Sequence, residues 1–272
     1  MSTSPLKLLL NLQKSISQKI KDIEGNNKMN QMGSGLELYM RNLFIDSVNL
    51  NKDKVDYSHD FSYIGNSSNP PDLIIKNGDA IEIKKIESIK SSLALNSSNP
   101  KNKLYSNSSL VTSKCRDCEV WSEKDMLYII GTVKEKALKK LWLVYGDCYC
   151  ADNELYERIK SKLQKGIQEL PNIEFSKTKE LGKIKKIDPL GITDLRIRGM
   201  WNIENPVKVF SYLPDSEVNF LLLESKYITF DSEDRKNIEN NSEIKVTDVK
   251  IKDPNNPANI LKAKFIQLCL TK

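Results

Sequence analysis

The sequence predicts an α/β fold: a mixed central β-sheet flanked by helices. Three observations lead there. Apolar residues recur at helical spacing near the N-terminus, at Leu9, Leu12, Ile16, Ile20 and Ile23, and again at Leu36, Met40, Leu43 and Phe44. Short runs rich in isoleucine, bounded by turn residues, then fill the stretch from about residue 60 to 86, the pattern of strands. The strand pattern returns at 126–147 and leads into an amphipathic helical segment. Elements that each bury one apolar face reach stability by layering helices on a sheet. At 272 residues, with 39% hydrophobic and 29% charged side chains, the chain suits one large soluble domain, read here as residues 1–272.

In chain order, the first helix is predicted over residues 5–23. A polar break at 25–31 separates it from a second helix introduced by Gly33-Ser34-Gly35, where Ser34 and Glu37 have capping-box spacing. Strands are predicted at 60–65, 71–76 and 79–86 as an antiparallel meander. Residues 91–114, rich in Ser and Asn, read as a long polar loop. Strands at 126–133 and 140–147 precede a helix over 152–170, whose apolar face carries Leu155, Ile159, Leu163 and Ile167. Shorter strands and a helix near 233–241 are predicted for the last hundred residues.

The meander contains the most informative segment, Asn69-Pro70-Pro71-Asp72-Leu73-Ile74-Ile75-Lys76-Asn77-Gly78-Asp79-Ala80-Ile81-Glu82-Ile83-Lys84. Asn-Gly between apolar runs is a strong hairpin signal. A two-residue turn would set Asp72 and Glu82 on opposite faces, because side chains alternate along a strand. A three-residue loop, Lys76-Asn77-Gly78 with Gly78 left-handed as a bulge, instead pairs Ile75 with Asp79 and Asp72 with Glu82. Lys84, two residues beyond Glu82, then shares that face. Facing carboxylates repel unless a positive charge sits between them. The inferred site is two acids around a hard divalent cation, with an ammonium alongside; Mg²⁺ is commonly held by one or two carboxylates plus waters and phosphate oxygens. The bland alternative is a solvated surface hairpin, which the flanking isoleucines argue against.

Other chemistries are bounded by composition. His59, the single histidine, sits in a polar stretch and reads as a loop residue; multi-histidine metal sites and Cys-His acyl transfer are excluded. The five cysteines fit a disulfide framework poorly, and Cys269 would be left over. Cys115, Cys118, Cys148 and Cys150 leave open a four-thiolate structural Zn²⁺ site, against the alternative of plain buried thiols. No apolar run approaches the ~18 residues that span a bilayer, and the N-terminus lacks a secretory signature, so no membrane partner and a cytoplasmic location are expected. Without a phosphate-binding Gly-x-x-x-x-Gly-Lys loop, no ATP-driven role is expected. Asn69-Pro70-Pro71-Asp72 is similar to the Asn-Pro-Pro-aromatic motif of DNA amino-methyltransferases, but the aromatic and a Gly-rich cofactor loop are missing.

The net charge of +6 is concentrated: residues 156–200 carry eleven Lys or Arg against six acids, which suits a phosphate-rich partner. Within that stretch Leu195 and Ile197 alternate with Arg196 and Arg198. A strand there would bury one face and offer two guanidinium groups on the other. Such groups fit bidentate contact with guanine O6 and N7, and equally fit phosphates or acids within the fold.

Pro71-Asp72 followed by Glu82-Ile83-Lys84 resembles the PD-(D/E)XK nuclease motif. More specifically, four blocks are similar to the NgoPII-like type II restriction endonucleases: Gly35-Leu-Glu37-x-Tyr39 with Leu43-Phe44; the hairpin from Pro70 to Lys84; Cys115-x-x-Cys118-Glu-x-Trp121 with Lys124-Asp125; and Leu190-Gly-Ile with Leu195-Arg-Ile-Arg-Gly-Met-Trp201 and Asn205-Pro206. They span about residues 33–210, with no departure at the three motif positions. The resemblance implies a homodimeric, Mg²⁺-dependent enzyme of the PD-(D/E)XK restriction-endonuclease-like fold that cuts double-stranded DNA at a short palindrome, with a GGCC-type site as the guess. It implies that Asp72, Glu82 and the Ile83 carbonyl bind the metal, that Lys84 positions or deprotonates the attacking water, and that Glu37 is a supporting acid. Arg196 and Arg198 are the expected DNA-binding residues and lysines between 160 and 186 the expected phosphate contacts, with a catalytic core about 30–150 and a DNA-recognition region about 151–272. A repair or junction nuclease, and a non-catalytic zinc-containing DNA-binding protein, stay open as alternatives.

Overall fold

A computed structural model of the chain describes residues 3–15, 30–45, 55–66, 69–96, 98–135 and 137–268. Helices α1 (Pro5–Ser15) and α2 (Asn30–Phe44) lead into the meander β1 (Phe61–Asn66), β2 (Asn69–Ile75) and β3 (Ala80–Ile86). Next come β4 (Leu93–Asn96), β5 (Lys103–Tyr105) and the short helix α3 (Ser113–Arg116). The hairpin β6 (Glu123–Lys134) and β7 (Ala137–Tyr145) is followed by α4 (Gly146–Tyr149) and α5 (Asn153–Gln168). Three short strands, β8 (Gly182–Ile184), β9 (Leu195–Ile197) and β10 (Trp201–Ile203), precede α6 (Pro206–Val209). The chain closes with β11 (Val218–Leu223), α7 (Glu224–Tyr227), α8 (Ser232–Glu239), β12 (Ile244–Lys252) and β13 (Ile260–Leu268).

The main sheet has nine strands in the order β1-β2-β3-β6-β7-β11-β13-β12, with β5 added beside β6. The β3–β6 and β7–β11 pairs are parallel and the remaining pairs antiparallel, so the predicted mixed sheet is present. Each face has its own core. On one, Leu6, Leu9, Leu36, Met40 and Ile238 of the helices meet Ile81, Leu127, Leu143 and Phe220. On the other, Tyr63, Ile74, Leu104, Tyr128, Trp142, Phe210 and Phe265 pack together. Strand β6 alternates between them, Leu127 and Ile129 to the first and Met126, Tyr128 and Ile130 to the second. A strand covered on both sides reads as a continuous apolar run, which is why 126–133 is so plain in the sequence.

Two close approaches set the helix and hairpin that matter most. A Cβ on Gly131 would come 2.7 Å from Leu36 Cδ2, so its absence lets α2 lie directly against the sheet. A Cβ on Gly78 would sit 3.0 Å from Ile75 Cγ2, so a larger residue there would press on the Ile75 side chain at the turn.

Several expectations are corrected. The first helix is described only to Ser15, and residues 16–23 lie outside the described residues. Helix α2 already begins at Asn30, so Ser34 is inside it and cannot cap it; Glu37 is thereby released from a capping role. The polar stretch 91–114 is a structured crossover, not an open loop. Parallel strands need a dozen or more connecting residues, and this connection carries β4, β5 and α3 across the second face with Asn99, Lys101 and Asn102 buried. Buried polar groups are tolerated when hydrogen-bonded, and these are: Asn99 Nδ2 donates to Asn153 Oδ1 (2.8 Å) and Asn102 Nδ2 to Asp152 Oδ1 (2.7 Å). Helix α5 forms as expected, but Leu155, Ile159 and Leu163 remain exposed. The closing strands β12 and β13 are nine residues each, longer than anticipated, and they extend the main sheet.

Candidate active site

The hairpin register decides the site. Leu73 pairs with Ile81 and Ile74 with Ala80, while Ile75 N–H donates to the Asp79 carbonyl at 3.0 Å. Continuing that register sets Asp72 opposite Glu82, the arrangement the three-residue loop requires. The left-handed residue is Asn77, at φ 56°, and not Gly78. Gly78 N–H donates to the Ile75 carbonyl at 2.8 Å, which makes Asn77 the third residue of the turn. Positive φ at that position defines a type II turn, and asparagine tolerates it best after glycine.

Beyond Leu73 the two strands part, and side chains occupy the fork. Asp72 Oδ2 accepts from the Ile83 backbone N–H at 2.6 Å, so the acid takes the place of a ladder partner. Glu82 is buried; its Oε1 lies 2.5 Å from Lys84 Nζ, and its Oε2 is buried with no hydrogen-bond partner among the described residues. Burial and the facing Glu82 push the Asp72 carboxyl up to about 8. Burial works against the Lys84 charge, yet Glu82 and Asp72 more than offset it and hold the ammonium above its ordinary pKa. Glu37 reaches the same fork from α2. Its carboxyl is raised by burial and by Glu82, with Arg41 and Lys84 pulling the other way. The structure therefore gathers Asp72, Glu82, Lys84 and Glu37, and joins Ile83 to them through its backbone.

These groups suit a divalent cation. A divalent cation would satisfy the orphaned buried Glu82 oxygen and offset the burial and the Glu82 charge that disfavour an ionised Asp72. Among the described residues no three His, Cys, Asp or Glu side chains are arranged as a ready-made metal cage.

Three residues near the fork escaped the sequence reading. Arg41 follows Glu37 by one helical turn and lies over the Tyr57 ring at 5.3 Å; the i,i+4 spacing was the available signal. Tyr128 sits beside Glu82 in the β3–β6 register and accepts from the Lys101 N–H at 2.8 Å. Lys101 is itself buried, its Nζ donating to Ser98 Oγ (2.9 Å) and the Asn99 carbonyl (3.0 Å). Burial drives its pKa down to about 8. No local pattern marks a lysine in a Ser/Asn-rich stretch as buried.

A second charged cluster lies at the turn end of the hairpin. Tyr145 Oη donates to Asp79 Oδ2 at 2.5 Å, and Lys226 Nζ donates to Asp79 Oδ1 (2.6 Å) and Asp125 Oδ2 (2.7 Å). Lys124 Nζ donates to the Gly78 carbonyl at 2.7 Å and pairs with Glu119, whose Oε2 accepts from the Asn77 N–H at 3.0 Å. Asp79, Asp125, Lys124 and Lys226 line a cleft of about 650 Å³, but Asp72, Glu82, Lys84 and Glu37 do not. The fork differs from this cluster in keeping one buried carboxylate oxygen, Glu82 Oε2, without a hydrogen-bond partner among the described residues, whereas the charges named here are all paired and clamp the turn.

Arg196 lies on β9, which pairs with β8 as a separate ribbon, and Arg198 follows just beyond the end of that strand. Both guanidinium groups bind Glu180, a partner the sequence reading missed. The ribbon does not bury its other face as expected: Leu195 is exposed and Ile197 half-buried. Lys160, Lys165 and Lys183 form ion pairs with Glu157, Glu169 and Asp194. Cys115, Cys148 and Cys150 are buried free thiols, and Cys118 is a half-buried one. Burial pushes the Cys115 and Cys150 thiols up to about 12. The proposed four-thiolate arrangement is not assembled among the described residues, and Cys269 lies outside them. His59 is exposed, with Nδ1 3.6 Å from Asp60 Oδ2.

A mixed sheet whose forked hairpin carries paired acids and a lysine, with a helix acid alongside, has the architecture of restriction-endonuclease-like nucleases. Comparison with known proteins gives the family. The NgoPII restriction endonuclease family matches residues 4–252. The chain is also 49% identical over 252 residues to the type II restriction enzyme NgoPII of Neisseria gonorrhoeae, covering 89% of this chain and 91% of that protein. No solved structure matches the chain. The chain belongs to the NgoPII restriction endonuclease family, and it is an endonuclease of the type II restriction class.

Proposed function

We propose that the protein, as a homodimer, hydrolyses double-stranded DNA at a short palindrome of the GGCC type, with Mg²⁺ in the fork between β2 and β3, leaving 5′-phosphate and 3′-hydroxyl ends. The observation that carries this reading is the pairing of Asp72 with Glu82 beside Lys84. Asp72, Glu82 and the Ile83 carbonyl are the groups that would hold the ion. A bound Mg²⁺ supplies Lewis-acid polarisation of the scissile phosphate and a lower pKa for attacking water.

The chain's own residues do the rest. Lys84, kept as an ammonium by its two acids, orients the nucleophile by donating hydrogen bonds; its raised pKa argues against proton abstraction by its Nζ at neutral pH. Glu37 adds a third carboxylate to the fork, and holds a proton more readily than a free glutamate does. Arg196 and Arg198 are assigned to guanine readout and the lysines between 160 and 186 to the phosphates, within a recognition region about 151–272. A two-fold dimer gives each strand of a palindrome its own fork.

Digesting DNA of known sequence with Mg²⁺ and mapping the ends tests the reading. Discrete fragments sharing one palindrome are expected. Asp72→Ala and Lys84→Ala should each abolish cutting while leaving the fold largely intact. Retained cutting by both variants overturns the site assignment, and structure-dependent nicking without a common sequence overturns the restriction role.

A further inference from the structure

We infer that Glu180 determines specificity: its carboxylate braces Arg196 and Arg198 by their inner edges, so that both present their outer edges to base pairs while carrying only one net charge toward phosphates. The inference rests on the assignment of these arginines to DNA, and deepens it. Arg196 Nε donates to Glu180 Oε2 at 2.9 Å and its NH2 to Oε1 at 2.6 Å, while Arg198 Nε donates to Oε1 at 2.6 Å. A guanidinium has five N–H donors. Arg196 spends two on Glu180 and Arg198 spends one, which among the described residues leaves the NH1/NH2 edge of each open to a bidentate contact. The side-chain exposures agree, at 53% and 54% for the arginines against 14% for the glutamate. The carboxylate is covered and the forks face outward.

The brace is itself anchored. Gln164 Nε2 on α5 donates to the Glu180 carbonyl at 3.0 Å, and Leu181 N–H donates to the Ile197 carbonyl at 3.1 Å, between the two arginines. Neighbouring Lys183 is matched by Asp194 at 3.1 Å and does not compete for Glu180. Hydrogen bonds from Arg196 and Arg198 hold the Glu180 carboxyl below its ordinary pKa, so it stays ionised. An unbraced arginine pair is a mobile dication suited to any phosphate. A braced pair loses half its charge and much of its rotamer freedom, and what remains is direction. Direction is what base readout uses, whereas charge is what sequence-independent binding uses.

The test measures binding of the full-length protein to a duplex bearing the mapped site and to the same duplex with one base pair changed, with Ca²⁺ replacing Mg²⁺, over a range of salt. Glu180→Gln is expected to bind the altered duplex more tightly, to lower the ratio of affinities by about tenfold, and to steepen the salt slope by about one charge. Glu180→Asp, charged but too short to reach both forks, is expected to restore the slope without restoring the ratio. If both variants keep the wild-type ratio and slope while Arg196→Ala loses affinity, the brace is merely structural and the inference fails alone. If Arg196→Ala and Arg198→Ala also bind as the wild type does, the arginine readout is wrong and the brace falls with it.

Discussion

Asp72 is the residue at which stability and the proposed chemistry oppose each other. Its carboxyl ordinarily titrates at 3.8 and here at about 8, because burial and Glu82 disfavour its charge. Between those values the metal-free fold keeps a proton that the unfolded chain releases. The stability from this group is therefore whole below about pH 3.8 and drains away as the pH rises through about 8. Asp72→Asn preserves an acceptor for the Ile83 N–H and removes the titration. We expect the variant to melt several degrees above the wild type at about pH 9 without divalent metal, with the gap shrinking toward about pH 5. A gap that does not change with pH would show that Asp72 is not the proton carrier. Lys101, lowered to about 8, titrates nearby with the opposite sign, which is why the difference between variant and wild type is the quantity to follow. At this scale Asp72, Glu82 and Lys84 were legible because turn length, alternation and residue type converge on one face. Glu180 was not, since its contact with the arginines spans 16 and 18 positions through a ribbon that no apolar periodicity announces.

Among elements, the β2–β3 hairpin depends on its clamp. Lys124 and Glu119 have side chains only 5% and 12% exposed, and between them they hold both the Gly78 carbonyl and the Asn77 N–H. Removing one partner strands the other, which costs about 3–5 kcal/mol for a buried pair. Glu119→Ala should accordingly destabilise the protein by about 3 kcal/mol. Adding Lys124→Met should cost less than a second independent loss, a coupling read from urea unfolding of the two single variants and the double. Strict additivity would show that the pair does not act as a unit. The helices and long strands were legible from their periods. The crossover through β4 and β5 was not: Asn99, Lys101 and Asn102 are buried because hydrogen bonds satisfy them, and composition alone marks such residues as solvent-facing. The start of α2 was misread for a related reason, since Gly33 and Gly35 punctuate a sequence more loudly than they do a helix held down by Leu36 and Met40.

At the scale of the molecule, one wide sheet with a core on each face carries the proposed catalytic fork at one hairpin, and the candidate DNA-reading ribbon stands outside that sheet. The order of strands was only half legible. The parallel neighbours β3–β6 and β7–β11 are far apart in sequence, and nothing local states that residues 218–268 complete the sheet begun at residue 61. If the palindrome reading holds, two copies must act together. Equilibrium sedimentation of the free protein should then give about twice the chain mass of 31.1 kDa. A monomer that severs both strands in one encounter would contradict the two-fold arrangement. Of the two outermost strands, β12 sets a limit on how those copies associate. Lys245, Asp248, Lys250 and Lys252 are exposed along it, and charged side chains on an edge discourage another strand from docking there. That margin of the sheet is thus guarded against a second strand adding to it, so an interface between copies is better sought on another surface.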